Sequence, residues 1–236
     1  KEFDKFKQMI QDVNNFAFAR FSDGEMFIMQ NQTVVLAPGY FVTGERIGHN
    51  IYTKEEQKEF LPKKHQFYRE KLIESFQYKA DNYYKGICTK TDVGEENFKW
   101  QMDLHGEGYE DNLTFANVFI NSNYPRYIEE VVPLFKDRDI IYVVNELADL
   151  SGLPFKVKKD FRIGSNCMVE NYDTAEQVKE YIEKNNIKDH IILCSAASLS
   201  NFVIHQCFME NQNNTFLDTG SALNPYQNLE GWRFTR

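Results

Sequence analysis

The four cysteines of this 236-residue chain (Cys88, Cys167, Cys194 and Cys207) stand far apart, and no Cys-x-x-Cys pair occurs. That spacing excludes a zinc ribbon and a disulfide framework, and reduced thiols in a cytoplasmic protein are expected. The five histidines are equally dispersed, with no His-x-x-x-His pair. No apolar run approaches the ~20 residues needed to cross a bilayer. No signal peptide is visible either, so a cytoplasmic protein is expected, with peripheral attachment to a membrane left open. Basic residues are in short supply: 27 against 35 acidic ones, for a net charge of −8. Beyond Lys63-Lys64 and the lysines of 156–159 there is no basic run, and nucleic acid is not an expected partner. The glycines of the dinucleotide fingerprint are missing too, which disfavours NAD or FAD. No internal repeat or low-complexity stretch is present.

What remains is a folding composition. Apolar residues make up 42% of the chain and aromatic ones 15%, including 13 Tyr and 20 Phe. The length suffices for a sizeable core, and residues 1–236 are read as one domain. Phe3, Phe6, Met9, Ile10 and Val13 are spaced for an amphipathic first helix. Residues 16–21 read as a buried strand, 26–29 as the opening of a helix, and 33–37 as a short strand closed by Pro38-Gly39. The segment to Asn50 reads as a loop. Thr53 and Glu56 form a capping box for a helix that Pro62 interrupts, and a helical stretch carrying Phe67, Leu72, Ile73 and Phe76 follows.

Residues 85–89 read as a strand, 91–112 as a long loop, and 115–120 as a strand ending in Asn121. Pro125 opens a helix to Phe135. The β-branched run 140–144 has the character of a strand covered on both faces. Residues 155–163 are strand-like, Asp173 heads a capped helix to Lys184, and 191–194 form another buried strand. Ser195-Ala196-Ala197-Ser198 then turns into a helix ending near Met209, and 215–217 form the last strand. Alternating strands and helices imply parallel pairing with right-handed crossovers.

One stretch concentrates the chemistry. The apolar strand runs directly into Arg20-Phe21-Ser22-Asp23-Gly24-Glu25. In extended chain, side chains two apart leave on the same side, so Asp23 and Glu25 are expected to aim at one point. Gly24 between them has no side chain to obstruct what they hold. Two converging carboxylates call for a cation or a cationic partner. Either a divalent ion sits between them, or one carboxylate contacts a ligand's hydroxyls without metal. Arg20 is placed to pair with these acids or with phosphate.

This hexapeptide resembles the Arg-Phe-Gly-Asp-Gly-Glu signature of the GT-D glycosyltransferases, with Ser22 in place of the more usual Gly. Near the other end, Phe216-Leu217-Asp218-Thr219-Gly220-Ser221 resembles the family's Asp-Ile-Gly segment, with Ser221 where a His often follows. The resemblance spans nearly the whole chain. It implies an α/β, Rossmann-like fold with a mostly parallel sheet flanked by helices. It further implies an Asp-x-Glu motif, here Asp23 and Glu25, that holds a sugar nucleotide with Mn²⁺ or Mg²⁺.

In parallel sheets ligands gather at the carboxyl ends of strands. Those ends supply Asn121, Asn145, Glu146, Ser195 and Asp218 alongside the first motif. The turn from Ser195 to Ser198 opens a helix and offers an anion site for the diphosphate. Asp218, and after it Glu146, are the candidates for the base that activates the acceptor hydroxyl. Donor contacts are expected from Arg20, Asp23, Gly24, Glu25, Asn121, Ser195 and Ser198. The expected activity is transfer from a nucleotide sugar, a UDP-sugar first, to a glycan, glycolipid or glycoprotein acceptor. Two alternatives stay open: a non-catalytic sugar-nucleotide or glycan-binding domain, and a metal-dependent phosphoester hydrolase.

Overall fold

The computed structural model describes residues 1–49 and 57–229. Helix α1 (Glu2–Gln11) leads into β1 (Ala17–Phe21) and α2 (Asp23–Met29). Four short strands follow: β2 (Val34–Ala37), β3 (Tyr40–Thr43), β4 (Arg46–Gly48) and β5 (Lys58–Phe60), paired antiparallel in the order β4-β3-β2-β5. Then come α3 (Gln66–Gln77), β6 (Tyr83–Ile87), α4 (Lys90–Val93), α5 (Glu95–His105) and β7 (Leu113–Phe115). Helix α6 (Tyr124–Arg126) runs on through π-helical and 3-10 turns to Phe135. The chain finishes with β8 (Ile140–Asn145), β9 (Val157–Ile163), α7 (Cys167–Glu170), α8 (Thr174–Lys184), β10 (Ile191–Cys194), α9 (Ser198–Glu210) and β11 (Thr215–Asp218).

Seven strands form one sheet in the order β7-β6-β1-β11-β10-β8-β9, and every pairing in it is parallel. This is the expected α/β architecture, with helices on both faces. Alternation along each strand divides the apolar residues into two cores. Ala17, Ala19 and Phe21 face one, while Phe16 and Phe18 face the other. The same split separates Ile141 and Val143 from Ile140, Tyr142 and Val144. The small side chains of Ala17 and Ala19 let α9 pack closely on β1. Ten of the 13 residues of α9 are buried, and that explains its lack of a polar stripe. Among the described residues no helix is long and apolar enough to cross a membrane.

Several local readings of the sequence need correction. Residues 91–112 are no loop, since α5 occupies 95–105. Its buried residues are Gln101 and His105, one turn apart, while Phe98, Trp100, Met102 and Leu104 lie at alternate positions and are only partly buried. A helix with a polar buried face shows no apolar 3.6-residue period. The stretch expected as a strand over 115–120 pairs only to Phe115 and then turns away. Val118 and Phe119 are buried all the same, Phe119 stacking edge-on against Phe3, Phe6 and Phe18, so a core-filling turn imitates a strand.

The expected strand closed by Pro38-Gly39 is β2, but the expected loop after it holds β3 and β4, in hairpins turned at Gly39 and Gly44, which adopt φ of +87° and +61°. The capping box at Thr53 lies outside the described residues. The continuation of its helix toward Pro62 is instead strand β5, paired with β2.

Candidate active site

A crevice of about 490 Å³ crosses the carboxyl edge of the parallel sheet. Its walls come from residues one or two positions past strand ends, among them Ser22, Cys88, Ala116, Ser165, Ser195 and Gly220, with Leu36 and Lys58 added from the small antiparallel sheet. The volume falls in the range of small-molecule sites.

Arg20, the penultimate residue of β1, lines this crevice and is locked from three directions. Its Nε donates to the Ala116 carbonyl at 2.6 Å, Nη2 reaches Ser22 Oγ at 3.4 Å, and Nη1 lies 3.9 Å from Asp218 Oδ1. Ala116 comes this close because Gly86 on β6 has no side chain; a Cβ there would stand 2.9 Å from Ala116 Cα. Asp218, at the end of the neighbouring strand β11, is only 4% exposed and accepts from the Gly220 N–H at 2.9 Å. Burial pushes its carboxyl up to about 6, against the opposing pulls of Arg20 and the Gly220 N–H. Asp218 is not part of the crevice wall. It stands behind Arg20 and fixes it, which is a positioning role.

The acidic motif is arranged differently from the extended-chain expectation. Residues 23–29 are helical, so Asp23 and Glu25 leave the first turn of α2 on different sides. Both still line the crevice. Ser22 is the N-cap and Glu25 the N3 residue of a capping box, with Ser22 N donating to Glu25 Oε2 at 3.2 Å. Glu25 is 7% exposed. Its Oε1 accepts from Lys58 Nζ at 3.0 Å and from Ser198 Oγ at 2.6 Å. Burial alone would raise the Glu25 carboxyl, yet Lys58, the Ser198 hydroxyl and Arg20 together hold it below the ordinary carboxylate range. Asp23 is exposed, and its Oδ1 accepts from the adjacent Gly24 N–H at 2.9 Å.

These contacts decide whether the motif fits a divalent ion. A hard cation needs about six oxygen ligands and usually one or two free carboxylates beside the substrate's phosphates. Glu25 has both oxygens engaged, one of them by an ammonium group. Among the described residues no group of three or more His, Cys, Asp or Glu side chains converges as a metal site. Gly24 is packed by the same ammonium, which lies 3.4 Å from where its Cβ would be. The residues present do not fit Mn²⁺ or Mg²⁺ held jointly by Asp23 and Glu25, because the Lys58 ammonium already pairs with the Glu25 carboxylate.

The remaining expected residues separate clearly. Ser195 lines the crevice, its hydroxyl hydrogen-bonded to Tyr142 Oη at 2.8 Å and to Thr219 Oγ1 at 3.0 Å. Ser198 is fully buried, with its hydroxyl spent on Glu25, so its side chain does not face a ligand. Between them Ala197 lines the crevice at the head of α9 with φ 44° and ψ −137°, a strained conformation for a residue with a Cβ. Asn121, at φ 55°, and Asn145 both line the crevice. Glu146 is exposed outside the crevice wall, its N–H bonded to the Ile163 carbonyl.

Several crevice residues escaped the sequence reading, among them Lys58, Asp92, Asn117 and Gln227. Lys58 lay in a charged stretch read as a helix surface, and Asp92 in a stretch read as loop, where it now caps α4 through Thr89. Asn117 follows β7, whose end was placed too late. Gln227 is wholly buried, donates to Tyr142 Oη at 2.8 Å, and keeps a buried Oε1 without a partner among the described residues. No local pattern marks these residues, because the tertiary fold alone brings them to the crevice.

No protein-family model matches the sequence, and no curated protein matches it. Solved structures do match the fold. A selenomethionine-substituted structure of domain of unknown function 1792 superposes with a TM-score of 0.58 at 15% identity, covering 95% of this chain and 76% of its own. A structure of that domain from Streptococcus sanguinis, described as a new glycosyltransferase, gives 0.54 at 14% identity, covering 95% and 81%. A third, described as the highly conserved domain 1792 with a distinct glycosyltransferase fold, gives 0.57 at 14%, covering 95% and 76%. The chain therefore has this α/β glycosyltransferase fold, in agreement with the GT-D resemblance carried by its two terminal motifs.

Proposed function

We propose that the chain is a glycosyltransferase that moves a sugar from a nucleotide-sugar donor, a UDP-sugar first, to a hydroxyl of a glycan, glycolipid or glycoprotein. The observation that carries this reading is the placement of Arg20. Its guanidinium is fixed by Ala116, Ser22 and Asp218 and lines the same crevice as the head of α9. The two are tied together, since Asn201 in the first turns of α9 donates to the Arg20 carbonyl at 2.8 Å. A fixed guanidinium beside the N-terminus of a 13-residue helix suits a diphosphate. The amide-rich remainder of the crevice, with the orphan oxygen of Gln227, suits hydroxyl-bearing groups.

In the reaction the bond from the sugar's anomeric carbon to the diphosphate oxygen breaks, and the nucleoside diphosphate leaves with the electron pair. The acceptor oxygen bonds to that carbon, and its proton passes to a carboxylate. Arg20 stabilises the charge that develops on the leaving group. Asp23 is assigned as the proton acceptor, because its carboxylate is exposed at the crevice and its Oδ2 makes no hydrogen bond among the described residues. Glu146 and Asp218, the earlier candidates, lie outside and beneath the crevice wall respectively.

The phosphoester hydrolase alternative needs a cluster of metal-ligating side chains that the described residues do not form. The non-catalytic binding domain is favoured by the buried position of Asp218 in the second motif, and turnover separates it from a transferase. Calorimetric titration of UDP into the protein tests the donor assignment. Binding that falls about tenfold or more in Arg20→Met, as expected for loss of a charge-assisted hydrogen bond, supports it. Absence of UDP binding, or equal binding in the variant, removes it.

A further inference from the structure

We infer that Lys58 takes the place of a divalent cation at the Asp-Gly-Glu motif, so that the donor's diphosphate is held by protein charge alone. This rests on the donor assignment proposed above. Lys58 reaches the site from β5, outside the parallel sheet whose strands carry Arg20 and Asp218. Its Nζ lies 3.0 Å from Glu25 Oε1, and the two side chains are only 12% and 10% exposed. An ion pair this well shielded is not the loose kind found on surfaces. The Ser198 hydroxyl completes the cradle on the same carboxylate oxygen.

The glycine of the motif points the same way. A Cβ at Gly24 would stand 3.4 Å from Lys58 Nζ, an ordinary contact distance, so the ammonium lies directly beside the motif's glycine. A lysine ammonium carries three donors. One is spent on Glu25, which leaves two for a ligand in the crevice that Lys58 lines. A divalent ion at Glu25 would lie against the like charges of Lys58 and Arg20, both of which line the same crevice. Lys58 therefore supplies what the metal would: a fixed positive charge between an acidic side chain and the leaving diphosphate.

Removing Lys58 should turn this site into a metal site, and that conversion is what the experiment reads. Mn²⁺ alone, and separately UDP, are titrated by calorimetry into wild type, Lys58→Gln and Lys58→Gln/Glu25→Gln. The expected results are UDP binding by wild type that exhaustive chelation leaves unchanged, and no Mn²⁺ binding by wild type. In Lys58→Gln, UDP affinity in chelator falls about ten- to a hundredfold, the worth of one charge-assisted hydrogen bond, and Mn²⁺ restores it. Mn²⁺ binding appears in that variant and disappears in the double variant. Wild-type Mn²⁺ binding, or loss of wild-type UDP binding on chelation, overturns the inference, and neither arm needs a variant to fold. Failure of every form to bind UDP overturns the donor reading, whereas the Mn²⁺ arm still decides whether Lys58 holds the cation's place.

Discussion

Arg20 and Gly220, from opposite ends of the chain, share one small volume: a Cβ on Gly220 would stand 2.0 Å from Arg20 Nη1. Strands β1 and β11 are neighbours in the sheet, so the first motif's arginine lies over the second motif's glycine. Gly220 also adopts φ +51°, which disfavours any side chain. Gly220→Ala should cost about 1–2 kcal/mol from the backbone alone and displace Arg20 in addition. A lowered melting temperature together with weakened UDP binding is expected. Unchanged UDP affinity in the folded variant would separate the glycine from the arginine's function.

That pairing shows how far the sequence could be read. The two motifs and the buried strand runs at 140–144 and 191–194 were legible because alternation and apolar runs report directly on a sheet covered on both faces. Arg20 was legible by its place at a strand end. The partners of these residues were not. Lys58 arrives from a separate sheet, and the roles of Glu25 and Asp218 depend on burial that a local pattern does not encode. Reading Asp23-Gly24-Glu25 as extended chain failed because Ser22 and Glu25 form a capping box that begins α2 at Asp23.

Asp218 gives a pH test. Its folded-state value of about 6 lies above the ordinary 3.8, so between those values the folded protein holds a proton that the unfolded chain has released. The stability from this group is complete below pH 3.8 and is lost as pH rises through about 6. Asp218→Asn should therefore gain on wild type across that window, by up to about 3 kcal/mol above it. Chemical denaturation of both proteins at pH 4 and pH 8 measures the change. A variant that loses ground to wild type between these pH values would contradict the assignment.

Asp23→Asn should leave UDP binding nearly intact while turnover falls roughly 10²–10⁴-fold, the range for removal of a general base. Binding by calorimetry and turnover by nucleoside diphosphate release are measured on the same preparation. Full turnover in this variant would pass the role to Asp92, the other carboxylate of the crevice wall that is exposed.

Ala197 allows opposite substitutions at one position. Ala197→Gly relieves a positive φ and should stabilise the fold by about 0.5–1 kcal/mol, with donor binding retained. Ala197→Glu sets a negative charge at the head of α9 and should weaken UDP binding by about tenfold or more. Thermal melts and calorimetry read the two effects separately. Equal UDP affinity in the two variants would place the diphosphate elsewhere.

Sugar transfer from a nucleotide donor is the function to which the crevice residues are assigned. Incubation of the wild-type protein with a panel of nucleotide sugars and glycan acceptors, followed by detection of released nucleoside diphosphate, tests it most directly. Acceptor-dependent release from one donor, led by the UDP-sugars, is expected; it is lost in Arg20→Met and persists in chelator. Tight UDP binding without release from any donor would contradict it and leave a sugar-nucleotide-binding domain.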